Sequence, residues 1–334
     1  MLPEVVTAEV LGGYPRSERT RKILRNYEER GEVTQSEAVQ SILNDTVLLL
    51  GVQLGAGLDA VVDPAVEWHD PLRPFVEAWR NVTVGGLLRW FDNNFFYRVP
   101  VFVDLPDPMR FVLSPRVRFM KSVLPRDVKL KVVLPGPLTF VKLSKNLTGK
   151  DAAELAESIK EALSLEVKQA VASGADVVQL DEPFLADVDA SVDDARLAVD
   201  LANDLLSVAF SAGGETRFAV YYGVPSKKVY NEIVDVKADY LILDVVSQRR
   251  RAIELLEGQG AIRDSIGLGL VDGRNLYMEK LDKDILPLVE KLVAEGSLRK
   301  LLVTTSTPLY LLPFGSAIKK TELLGRVKSQ LRGS

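Results

Sequence analysis

The chain has 334 residues, 42 Lys+Arg against 46 Asp+Glu, a formal net charge of −4, and 47% hydrophobic and 26% charged residues. That balance is ordinary for a globular protein and offers no basic field to hold a polyphosphate backbone, which excludes nucleic acid as a main partner. With no cysteine and one histidine, His69, the sequence also excludes disulfides, thiolate nucleophiles, iron–sulfur clusters and any His/Cys zinc site.

The opening MLPEVVTAEV carries Glu4 and Glu9 and lacks the basic and long apolar regions of a signal peptide. The most apolar stretch, Val47–Val62, is broken by Gln53, Asp59 and three glycines and is short of a membrane span. A soluble cytoplasmic protein with no membrane partner is expected.

In chain order, a strand is predicted at Glu9–Tyr14. Helices follow over Ser17–Glu29 and Thr34–Leu50, the second opened by a capping-box pattern of Thr34 with Glu37, and then a strand at Ala60–Val62. Residues 64–128 break the alternation with clustered aromatics (Trp68, Trp79, Trp90, Phe91, Phe95, Phe96, Tyr97). A hairpin is predicted there over Val101–Pro115, with Pro106-Asp107-Pro108 at its tip. This segment reads as an insertion after the second strand, sitting over the C-terminal mouth of a barrel.

Beyond it, β-branched runs alternate with helical periodicity. The strands are Leu130–Leu134, Val177–Leu180, Arg217–Tyr221, Tyr240–Leu243, Ile266–Val271 and Leu301–Thr304. The amphipathic segments include Asp151–Ser173, Ser191–Ala212 and Asp282–Glu295, the last with Ile285, Leu286, Leu288, Val289, Leu292 and Val293 on one face. Eight strands of this character predict an α/β fold, a (β/α)8 TIM barrel, as one domain over 1–334. No G-x-G-x-x-G follows a strand, so a dinucleotide site lacks its main support.

Barrels of this kind carry function at the C-terminal ends of their strands. Those ends read Tyr14-Pro15-Arg16, Gly136-Pro137-Leu138-Thr139, Asp181-Glu182-Pro183, Tyr221-Tyr222-Gly223, Asp244, Asp272-Gly273-Arg274-Asn275 and Thr304-Thr305-Ser306-Thr307. Carboxylates at a mouth serve proton transfer or bind ligand amines and amides. Blander roles stand beside these: Asp181-Glu182-Pro183 as a loop cap, Asp272 with Arg274 as a buried ion pair, and the aromatics as local core. In the same vein, His69 reads as an ordinary loop histidine and Arg249-Arg250-Arg251 as a solvated helix face. The residues by themselves lead to a barrel that binds a polar, ring-bearing ligand.

Five segments add a resemblance. Leu11-Gly12-Gly13-Tyr14-Pro15-Arg16, Arg89-Trp90-Phe91-Asp92-Asn93-Asn94 with Val99-Pro100, Gly136-Pro137-Leu138-Thr139-Phe140, Val178-Gln179-Leu180-Asp181-Glu182-Pro183 and Val271-Asp272-Gly273-Arg274-Asn275 occur in that order. Together they resemble the amino-terminal barrel of cobalamin-independent methionine synthase, a two-barrel family. The family transfers a methyl group from a 5-methyltetrahydrofolate polyglutamate to homocysteine, on zinc held by His, Cys, Glu and Cys of the carboxy-terminal barrel. Tyr221-Tyr222-Gly223 and Thr304-Thr305-Ser306 stand where that barrel has ligands. The resemblance therefore implies no catalytic or metal residue and no cofactor on this chain, with zinc on a separate partner barrel.

It also implies a donor-binding role. Arg21 matches a tail-binding arginine of the family, Arg89 replaces a lysine, and a second tail lysine falls at Leu24 with Arg25 beside it. The substrate-binding set is then Arg16, Arg21, Arg25, Arg89, Trp90, Asp92, Asn94, Asp181, Glu182, Asp272 and Arg274. The chain is expected to be a free-standing homologue of the amino-terminal half in methionine biosynthesis. It would bind a 5-methyltetrahydrofolate-like donor and act with a separate zinc-bearing barrel that methylates homocysteine. The alternatives are a non-catalytic binding or scaffolding barrel, or a metal-free enzyme using Asp181, Glu182 or Asp272 as acid or base.

Overall fold

The computed structural model describes residues 3–257, 263–293 and 298–332. Eight parallel strands form one sheet: β1 (Val5–Ala8), β2 (Ala60–Val62), β5 (Lys129–Pro135), β7 (Val177–Asp181), β8 (Glu215–Val220), β9 (Tyr240–Asp244), β10 (Ser265–Val271) and β11 (Lys300–Thr305). Their order is β1-β11-β10-β9-β8-β7-β5-β2, so the sheet curls almost fully round and leaves β1 and β2 as its edges. Asp59 spans that seam, its N–H donating to the Ala8 carbonyl (2.9 Å) and its carboxylate accepting from the Ala8 N–H (2.8 Å). Arg332, just past the last helix, holds the same carboxylate and the Val6 carbonyl. The architecture is the expected α/β barrel, with helices outside and strand ends converging on one mouth.

Inward and outward residues alternate along each strand and separate two apolar regions. The larger lies between sheet and helices; a small one inside the barrel comprises Leu11, Ala219, Tyr221, Tyr240, Ile242 and Leu302. Helix Gln35–Gly55 is long and apolar enough to cross a membrane by length and composition. It opens on the expected Thr34–Glu37 capping box and turns Asp45 and Gln53 inward, where Gln53 is bonded to both backbone groups of Val62.

Three expectations are corrected. The first strand is Val5–Ala8 rather than Glu9–Tyr14, because the ladder to β11 ends there: the Leu11 N–H donates to the Thr305 hydroxyl instead of a main-chain carbonyl. The hairpin is likewise displaced, to β3 (Trp79–Arg89) and β4 (Phe96–Pro108), with β6 (Lys145–Asn146) beside it. Its turn is Trp90–Phe95, closed by Trp90 N–H to the Phe95 carbonyl (2.8 Å) and Asn93 Nδ2 to the Trp90 carbonyl (3.1 Å). Pro106 and Pro108 end β4 beside a register shift, where a missing N–H costs little.

The hairpin's predicted second arm instead runs into helix Leu113–Val123, whose first N–H groups are capped by buried Glu166 of helix Ala152–Ala172. Of the segment predicted as Asp282–Glu295, the structure shows a wide turn over Leu281–Ile285 and helix Leu286–Val293. Residues 294 and 295 and the Val293 side chain lie outside the described residues.

Candidate functional site

The strand ends and the hairpin turn meet over the barrel mouth. Phe91 stacks obliquely on Tyr222 (5.6 Å) and Phe95 lies on Tyr310 (4.8 Å). Phe91 and Tyr222 both have left-handed backbones (φ 49° and 71°), a strained conformation for bulky residues that their mutual packing sustains. Arg274 Nη2 donates to the Asp92 carbonyl (3.0 Å), with its guanidinium 5.8 Å from the Tyr222 ring, tying the β10 loop to the hairpin turn.

Beneath this cover is a narrow cavity lined by Tyr14, Trp68, Trp90, Phe95, Tyr221, Tyr310, Asp63, Asp70 and Asp181, with no Lys, Arg or His. The cavity volume is about 80 Å³. Asp181 ends β7 on the inward side: Oδ1 accepts from Gln179 Nε2 (2.7 Å) and Oδ2 from the Tyr221 hydroxyl (2.8 Å). Burial pushes its carboxyl up to about 7.

Glu182, the next residue, points the other way and is fully buried. Its two oxygens accept the Leu138 and Thr139 N–H groups (3.0 and 2.7 Å), capping the short helix Pro137–Lys142; burial again raises the carboxyl to about 7. It takes the loop-cap role and does not line the cavity. The Gly-Pro-Leu-Thr and Asp-Glu-Pro motifs are thus two halves of one structure: a Cβ on Gly136 would lie 2.1 Å from Glu182 Cδ.

Asp272 and Arg274 do not form the ion pair considered above. The Asp272 carboxylate accepts the Arg274 N–H (2.7 Å) and the Asn275 amide, holding a turn. Gly273 fits there because a Cβ would meet Thr307 Oγ1 at 2.5 Å. Asp244 likewise closes its own loop, accepting from Val246, Ser247 N–H and the Ser247 hydroxyl.

The remaining predicted residues divide by location. Trp90 is buried in the cavity wall. Arg16 and Arg21 line a second groove beside the mouth, which shares Tyr14, Trp68, Phe95 and Tyr310 with the cavity. Arg16 is spent on the carbonyls of Val66, Glu67 and Trp68, whereas Arg21 is exposed. Arg25 is exposed one helical turn beyond Arg21. Leu24 is buried in the core, so its position faces away from any tail. Arg89 and Asp92 are exposed on the hairpin, 3.9 Å apart, and Asn94 is exposed beside them while Asn93 is the buried member of the pair. His69 pairs with Glu28 (3.0 Å) on the surface.

Sequence reasoning missed the polar column inside the barrel. Lys131 Nζ donates to Glu9 Oε1 (2.8 Å), the Val10 carbonyl (2.7 Å) and Gln179 Oε1 (2.9 Å), and Arg217 lies 3.4 Å from Glu9. Lys131 and Glu9 are 0% and 2% exposed. The available signal was a lone charge inside an apolar strand, as in Leu130-Lys131-Val132-Val133. For zinc the residues do not fit: Tyr221 is bonded to Asp181, Tyr222 to Tyr310, and Thr305 to the Leu11 N–H. Among the described residues no group of three His, Cys, Asp or Glu side chains is placed to hold a metal ion.

Fold and site thus define a barrel protein with a covered, aromatic and acidic mouth. The family description of the cobalamin-independent synthase N-terminal domain matches residues 80–295. The chain belongs to that family. It is 29% identical over 236 residues to the 5-methyltetrahydropteroyltriglutamate–homocysteine methyltransferase of Streptococcus thermophilus, covering 70% of this chain and 30% of that one. It is 27% identical over 294 residues to a methionine synthase of Saccharolobus islandicus, covering 86% and 84%. The chain therefore spans under a third of the first relative and most of the second. The fold matches a B12-independent methionine synthase from Shewanella sp. W3-18-1 in complex with selenomethionine (TM-score 0.74, 20% identity, 99% and 98% covered).

Proposed function

We propose that this chain is the donor-binding half of a methionine synthase in the cytoplasm. It holds a 5-methyltetrahydrofolate-like donor by its anionic tail and acts with a zinc-bearing barrel, lying outside these 334 residues, that methylates homocysteine. The observation that carries the reading is the groove of Arg16 and Arg21 running into the mouth, with Arg25 one turn beyond on the same helix. Arginine pairs with tail carboxylates through two parallel N–H bonds, and exposed Arg21 and Arg25 have guanidinium groups to spare.

The misfit of the strand ends to zinc supports assigning thiol activation to the partner, where the metal turns the homocysteine thiol into a nucleophile for the donor's methyl group. The hairpin supports a docking face: Leu87, Leu88, Phe96 and Val103 are exposed on it. The test is methyl transfer to homocysteine with zinc, by this protein alone, by a zinc-bearing barrel alone and by the two mixed. Activity in the mixture far above either alone is expected. A partner equally active without this chain leaves the scaffolding reading, and activity of this chain alone overturns the assignment of chemistry. With the mixture, Arg21→Ala is expected to raise the donor KM several-fold and leave the melting temperature unchanged.

A further inference from the structure

We propose that this chain pairs with a second copy of itself through the outward face of helix Gln35–Gly55, the two helices crossing at Val47 about a two-fold axis. The inference goes beyond the donor-tail reading and stands without it, since it concerns the flank of the barrel and not the mouth.

The argument begins with an inversion of polarity in this helix. Its inward side holds polar groups: Ser41 is bonded to Thr20 (2.7 Å), Asp45 accepts the Ser17 N–H (2.8 Å), and Gln53 holds Val62. Its outward side is apolar, with Val39, Val47 and Leu48 respectively 46%, 45% and 49% exposed. An outer helix of a barrel ordinarily turns its apolar stripe to the sheet and its charges to water. Here Leu43, Val47, Gly51 and Leu54 fall at intervals of three and four along the face turned away from the sheet.

Charge sharpens the point. At the chain's average of 26% charged, twenty residues would carry about five charges. Residues 38–57 carry one, Asp45, and it is buried. Helices Ala152–Ala172, Val192–Ser211 and Phe314–Leu331 all expose acidic and basic side chains, so neutrality belongs to this face and not to barrel helices in general. Its exposed amides, Gln40 and Asn44, are bonded to each other (2.9 Å). A Cβ at Gly51 would meet nothing within 4 Å, so the barrel itself gives no reason for a residue that weakens a helix relative to alanine. The backbone of a second helix passing closely supplies one.

Symmetry, position and area identify the occupant. On a two-fold axis each residue meets its own copy, and a charge there would meet a like charge; this face has none. The helix leads through Asp59 into the start of β2, so its face lies on the barrel's flank, where a partner seated on the mouth does not reach. The polar inward side is committed to the barrel and cannot be turned to lipid. From Val39 to Gly55 the face runs about 24 Å. Beside it a groove of about 700 Å³ carries apolar surface on to Phe111, Pro115 and Phe119. Most charges lining that groove are spent on one another, Arg73 with Glu77 and Arg116 with Glu67. Helix and groove together are about 20 Å across, giving about 1,000 Å² over both copies, the lower bound for a specific interface.

The test is analytical ultracentrifugation of the full chain. Wild type is expected to be a dimer at about 100 µM that dissociates on dilution, as an interface of this size requires. A monomer at that concentration overturns the proposal, whatever else covers the face. Val47→Glu and Val47→Lys are each expected to be monomeric there, with an unchanged circular-dichroism spectrum because the position is exposed. A dimer that persists in either variant places the interface elsewhere and overturns the assignment. Mixed in equal amounts, the two variants are expected to re-associate, since a two-fold contact brings residue 47 of one copy against residue 47 of the other. A mixture that stays monomeric refutes the self-pairing.

Discussion

Substituting Gly136 with alanine asks whether the Gly-Pro and Asp-Glu-Pro strand ends act as one unit. Gly136 has φ −71° and ψ 151°, an extended backbone that alanine adopts freely, so the whole penalty must come from the added methyl group. That methyl would sit 2.1 Å from Glu182 Cδ and Oε1 and 2.4 Å from Cγ. Glu182 is 0% exposed and has nowhere to swing, so either the carboxylate leaves its cap or the strands separate.

Losing two hydrogen bonds to backbone N–H groups costs about 1–1.5 kcal/mol each, and overpacking adds about 1–3. The expected loss is on the order of 4 kcal/mol, read from urea denaturation followed by circular dichroism. The decisive arm is the double-mutant cycle with Glu182→Ala, which removes the three atoms nearest the methyl. In that background Gly136→Ala is expected to cost under about 1 kcal/mol, giving a coupling of roughly 3 kcal/mol. Additive effects, or a single-variant cost below about 1 kcal/mol, would refute the coupled cap.

Two further outcomes follow from the barrel interior. Lys131→Met strips Glu9 of its closest cation and leaves Gln179 free to turn; a loss of about 3 kcal/mol in denaturation is expected, and one below 1 would show the column to be dispensable. The second concerns pH. The Asp181 carboxyl lies at about 7 when folded and at its ordinary 3.8 when unfolded, so the folded state keeps a proton that the unfolded chain releases. This contribution is fully present below about pH 4 and lost as pH rises to about 7. The stability of wild type relative to Asp181→Asn is therefore expected to fall across that window and level off above it; a difference independent of pH would show that Asp181 is not desolvated.

The strands after residue 128 were legible because local signals agree there: β-branched runs, capping residues and 3.6-residue periodicity coincide with burial on one face. Leu130–Leu134 lies inside β5 and Tyr240–Leu243 inside β9 for that reason. The family motifs were equally local, and each marks a strand end. What the sequence alone could not determine depends on contacts between distant residues. Nothing near Glu9 says that it will meet Lys131, 122 positions away, nor that Gln179 will bridge that lysine to Asp181 by hydrogen bonds.

The hairpin was misplaced because Pro-Asp-Pro is a strong turn signal in isolation. The real turn uses Phe91 in a left-handed conformation, with its ring packed on Tyr222 from a distant strand end. Asp181 and Glu182 make the same point most sharply. They are adjacent, share a charge and both sit at the end of β7, yet the pleat sends one into the cavity and the other into a helix cap. Residue type and spacing determined that carboxylates would stand at this mouth; closure of the barrel decided which of them faces the cavity.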